Sequence, residues 1–72
     1  VTFRADLTMH RTVELDGRHK TILAAVKEAH RFLETRHYDT VDLTIRDRKT
    51  GKIVVEVTLT REEMEVFMGR NA

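Results

Sequence analysis

Residues 41–59 run Val41-Asp42-Leu43-Thr44-Ile45-Arg46, then Asp47-Arg48-Lys49-Thr50-Gly51, then Lys52-Ile53-Val54-Val55-Glu56-Val57-Thr58-Leu59. Val41, Leu43 and Ile45 alternate with polar residues, and Ile53, Val55, Val57 and Leu59 resume the alternation beyond a polar five-residue turn. Period two is the spacing at which successive side chains of a strand point to opposite faces, so the stretch predicts a β-hairpin with one apolar face. The turn has the chemistry it needs. Asp47 offers a carboxylate to backbone N–H groups, and Gly51 tolerates the left-handed conformation that a loop of this length requires.

The chain before the hairpin supplies the rest of a sheet and a helix to cover it. Val1, Phe3, Ala5, Leu7 and Met9 alternate with Thr2, Arg4, Asp6 and Thr8, a first strand. Arg11 breaks the phase and Val13 and Leu15 resume it, which allows either a long strand or a second short one after a turn near His10; Asp16-Gly17 closes the segment as a turn pair. From Thr21 to about His37 the period changes to that of a helix. Ile22, Val26, Ala29 and Leu33 share one face, flanked by Ala25 and Phe32, while Ala24, Lys27, Glu28, Arg31 and Thr35 form the opposite one. Thr21 is placed to cap its start, and Glu28 is set to compensate Arg31. After the hairpin, Thr60-Arg61-Glu62-Glu63 has the capping-box pattern, opening a short helix with Met64, Phe67 and Met68 inward that ends near Gly69. The expected fold is therefore α+β over residues 1–72 as one domain: an antiparallel or mixed sheet of three to four strands with one long helix on one face and a short C-terminal helix, in the order β(β)αββα.

Composition narrows the function classes. With 72 residues, 40% of them hydrophobic and 35% charged, and with neither Cys nor Pro, the chain fits a small globular domain and excludes disulfide scaffolds and thiolate metal sites. No run approaches the roughly 18 apolar residues of a membrane span, and the start has no signal-peptide pattern, so a cytoplasmic protein is expected. Thirteen Lys and Arg against twelve Asp and Glu leave a net charge of +1, too little for a global field that draws in nucleic acid or anionic lipid. Nucleophilic catalysis lacks its usual groups, since there is no Ser or Cys, and the three Gly at 17, 51 and 69 are too isolated to cradle a phosphate. Glu62 and Glu63 are explained by the cap. His30, Glu34 and His37 at i, i+4 and i+7 form a strip with metal-ligand spacing at the border of the apolar face, where an amphipathic His is equally at home. No enzyme, cofactor, metal or small-molecule substrate is expected.

A protein-binding module is the reading that remains, of the kind found in small bacterial or phage regulators and inhibitors. A long first strand with Thr and mixed charges on its outer phase suggests an exposed edge, guarded by Arg4, Asp6 and Arg11, that pairs with a partner or a second copy, giving a homodimer. The expected surface joins that edge to the flank of the first helix at Lys27, His30, Glu34 and His37. Met9, Met64 and Met68 with Phe67 offer an adaptable apolar patch if the last helix packs loosely. The alternative is nucleic-acid binding through phosphate contacts at the hairpin tip, Arg46, Arg48, Lys49 and Lys52, with Arg18, His19 and Lys20 as a second basic loop. Base stacking on the sheet is not expected, because all three Phe lie in the apolar phases.

Overall fold

The hairpin forms as the alternation requires: β3, Thr40–Asp47, pairs antiparallel with β4, Ile53–Thr60, placing Val41, Leu43 and Ile45 opposite Leu59, Val57 and Val55. The computed structural model describes residues 2–70, so Val1 of the expected first strand lies outside the described residues. At the turn, Asp47 Oδ1 accepts from the Lys49 and Thr50 backbone N–H groups at 2.8 and 3.4 Å, and Gly51 takes φ of 76°. One irregularity marks the hairpin. Ile45 opposes Val55 but Arg46 opposes Ile53, so Val54 is an extra residue, a β-bulge that bends β4 at its start.

Strand β1, Phe3–Thr8, pairs antiparallel with β3, and β2, Thr12–Glu14, folds back on its other side, giving the order β2-β1-β3-β4. The sequence left residues 12–15 open between two readings, and the short second strand is what forms. Beyond β2 the chain continues to seal β1: the Leu15 N–H donates to the Ala5 carbonyl at 3.0 Å, and Phe3 and His19 exchange backbone hydrogen bonds of 2.7 and 3.1 Å. The expectation that the first strand is an exposed edge is therefore corrected. It is an interior strand with neighbours along both sides.

The long helix α1, Ile22–Leu33, buries Ala25, Val26, Ala29 and Leu33 against the apolar face formed by Ala5, Leu7, Val41, Leu43 and Ile45. The Thr21 hydroxyl caps it by accepting from the Ala24 N–H at 3.1 Å. It stops four residues before the expected His37. The last turn tightens, with the Arg36 N–H on the Leu33 carbonyl at 3.1 Å, and the Arg36 guanidinium takes the Phe32 carbonyl at 2.7 Å, so the free carbonyls of the end are satisfied without Gly or Pro. The second helix α2, Arg61–Arg70, opens on the expected capping box: the Glu63 N–H donates to Thr60 Oγ1 at 3.2 Å and Glu63 Oε1 accepts from the Thr60 N–H at 3.0 Å. It inserts Met64, fully buried, into the same core, whereas Val66 is 56% exposed. Met64 is thus core rather than part of a loose patch; Met68 and Phe67 are half-buried against it.

Gly17 serves a different purpose from the one its turn position suggested. Its φ is not positive; a Cβ there would stand 2.3 Å from His19 Nε2 and 2.4 Å from Glu28 Oε1. Those two atoms are themselves 2.8 Å apart, so Glu28 is bonded to His19 rather than to Arg31, and the glycine makes room for a tie between the loop and α1. No helix among the described residues is long and apolar enough to cross a membrane.

Candidate functional site: the open edge of the sheet

The residues expected to form one contact surface are separated by the fold. Arg4 and Asp6 belong to the face of β1 opposite the helices, because Ala5 and Leu7 between and beyond them are in the core. Lys27 and His30 are on α1 and Glu34 caps its end, on the other side of the sheet. Asp6 is no guard. Only 7% exposed, it accepts from Arg46 Nε at 3.2 Å and stands 3.6 Å from Arg4 Nε, while Arg4 also reaches Glu14 at 4.0 Å. Arg4 and Arg46 are directly opposite in the β1–β3 register, so this carboxylate offsets a like-charge cross-strand pair. Its Oδ1 is buried without a hydrogen bond, which leaves the Coulombic attraction of Arg4 as its compensation.

His30 Nδ1 lies 3.9 Å from Glu34 Oε1, but His37 lies beyond the end of the helix and lines a cleft together with Met9 and His10. The strip of three is thereby divided, and among the described residues no three His, Asp or Glu side chains are grouped to hold a metal ion. That cleft, of about 300 Å³, is lined by Met9, His10, Arg11, Val13, Phe32, Arg36 and His37. It adjoins a second, of about 370 Å³, between His10, His37 and Tyr38. Two stacked cations brace its wall: the Arg36 guanidinium is 3.7 Å from the centre of the Phe32 ring and that of Arg61 is 4.9 Å from the Tyr38 ring. Arg61 also donates to the Arg36 carbonyl, joining the start of α2 to the loop after α1. Sequence reasoning missed both stacks: Arg61 and Tyr38 are 23 positions apart, and Phe32–Arg36, although an i, i+4 pair, spans the end of the helix.

The basic tip is divided too. Arg46 points over the open face to Asp6 and donates to the Gly51 carbonyl at 3.4 Å, leaving Arg48, Lys49 and Lys52 exposed and without an ion pair among the described residues. A recess of about 190 Å³ between Arg4, Arg46, Asp47, Arg48 and Gly51 separates the two sets. The open face itself presents Asp42, Thr44, Glu56 and Thr58, with the Thr58 hydroxyl donating to Asp42 at 2.6 Å.

What remains open is β4. With β1 and β3 interior and β2 only three residues long, β4 is the one extended edge among the described residues, eight residues from Ile53 to Thr60. Its ladder runs to β3 alone, so on its outer side a row of backbone N–H and C=O groups faces solvent. Ile53 and Val54 are 45% and 44% exposed. The strand carries one charge, Glu56, and neither Pro nor Lys, the devices that usually blunt an edge. Its sequence held the signal, in the unguarded run Ile53-Val54-Val55. No family model, curated protein or solved structure matches this chain, and the functional reading rests on this geometry.

Proposed function

We propose that the chain is a non-enzymatic protein-binding module that accepts an extended strand along β4. The observation that carries this reading is an unpaired, nearly uncharged edge of eight residues on a sheet whose other long strands are enclosed. Strand addition supplies main-chain hydrogen bonds as the common source of affinity, and alternate side chains of the added strand select the partner. The apolar face of β4 favours a β-branched or aliphatic partner strand, because Val55 and Val57 are only half-buried and gain cover from it. Panning a displayed library of eight-residue peptides against the chain tests the reading. Selected peptides are expected to shift and protect the amides of residues 53–60; shifts confined to the cleft at Met9, His10 and His37 would refute it.

The exposed, unpaired Arg48, Lys49 and Lys52 favour a second reading, in which the hairpin tip contacts nucleic-acid phosphates. It lacks the stacking rings of sheet-based binders, and Asp42 and Glu56 on the open face oppose it. Under that reading, Arg48→Ala with Lys49→Ala lowers the magnitude of the slope of log affinity against log salt by about 1.4 on single strands, two phosphate contacts' worth. Fluorescence anisotropy with mixed single-stranded DNA and RNA measures the slope, and salt-insensitive or absent binding by the unaltered chain removes this alternative.

A further inference from the structure

Resting on the strand-acceptor reading, we infer that the strand β4 receives is β4 of a second copy, antiparallel about a two-fold axis at Val57, which joins two four-stranded sheets into one of eight strands.

The register follows from the sequence of the edge. A two-fold axis perpendicular to a sheet pairs positions whose numbers sum to an even total, because opposed residues must share a face. Two axis positions give the longest overlap within Ile53–Thr60, at Glu56 and at Val57. The first sets two Glu56 carboxylates directly opposite each other, a destabilising like-charge pair. It also runs the new ladder through Val54 and Ile53, where the bulge has already disturbed the strand. The axis at Val57 avoids the Glu56 pair, and its ladder ends at Val54 without reaching Ile53. It places Val57 against its own copy and Val55 against the second copy's Leu59, so the apolar face continues across the seam. On the open face Glu56 meets the second copy's Thr58, a neutral residue, in place of a second carboxylate. Val54, exposed in the single chain, lies against the second copy's Thr60.

Charge at the ends favours the same arrangement. In this register the hairpin end carrying Lys52 comes alongside the start of the second copy's α2, where Glu62 is exposed. Each pairing occurs twice, as the symmetry requires. Thus the edge is self-complementary in composition and in charge about one residue.

The absence of native Cys makes the register directly readable, since an introduced thiol has only its own copy to oxidise with. Light scattering of the unaltered chain across concentration is expected to give twice the chain mass. Under mild oxidation Val57→Cys is expected to form a covalent dimer, because residues at the axis are within disulfide reach, whereas Val55→Cys stays monomeric on denaturing gels. Val55 lies four residues from its own copy along the strand, too far for a bond. A chain monomeric at every concentration overturns the inference and leaves the strand-acceptor reading to the peptide experiment. A dimer cross-linked through Val55→Cys, or through neither variant, overturns the Val57 axis.

Discussion

Asp6→Pro is expected to unfold the domain. Asp6 pairs with Glu14 on one side and Thr44 on the other, so its N–H faces a neighbouring strand whichever way it points, and proline removes that donor. The same change strips the carboxylate from between Arg4 and Arg46 and leaves two opposed guanidiniums in place. Each Arg retains about a third of its side-chain exposure (33% and 37%), so solvent screening reduces that second penalty. The two losses together exceed about 4 kcal/mol, comparable with the total stability of about 4–10 kcal/mol that this length implies. Circular dichroism at 25 °C measures it directly. Retention of a cooperative thermal transition in Asp6→Pro would show that β1 is not interior. Had the first strand been the edge, the same substitution would have blocked assembly and spared the fold.

The second large effect is expected at Met64. Among the described residues it is the only fully buried side chain of α2, and it enters the cluster that holds Leu33, Val41 and Leu59. Met64→Ala removes three heavy atoms from a site closed on all sides, at a cost of about 3 kcal/mol, while Met64→Leu keeps the volume and costs less than about 1.5 kcal/mol. Urea unfolding of the two variants gives the difference. Because the rest of α2 is mostly polar or half-exposed, hydrogen exchange in residues 61–70 is expected to rise in Met64→Ala before exchange in β1 or β3 does. A uniform rise across the sheet would mean that α2 and the sheet unfold as one unit.

How far the sequence reaches is clearest at β1. Period two assigned Arg4, Asp6 and Thr8 to one face and Ala5 and Leu7 to the other, and the structure agrees, because the alternation is a property of one strand. It contains no information on which strands lie alongside. Charged residues in an outer phase look the same whether they guard an edge or form an ion cluster on a central strand, so Arg4 and Asp6 were placed on the wrong kind of strand. The end of α1 fails for a related reason. Residues 34–37 are acceptable helix formers with no breaker, and the stop is set by the Arg36 side chain and by the tie of Arg61 to the same loop, both outcomes of tertiary packing. Both helix starts, by contrast, were legible at Thr21 and Thr60, because a cap is chemistry within four residues. The β4 edge falls between these cases: its unguarded composition was visible, but its significance depended on the strand order.

The strand order also governs the sequence of events during folding. Two hairpins, β1–β2 and β3–β4, connect neighbours along the chain and form on a timescale of about 1–10 μs. The seam between them joins residues as distant as Phe3 and Asp47, 47 − 3 = 44 positions apart, and must await the loop closure spanned by α1. Mixing the two hairpins' inner strands across different chains is therefore the characteristic hazard of this topology. Until the middle of the sheet closes, β1 and β3 expose edges of six and eight residues beside the eight of β4.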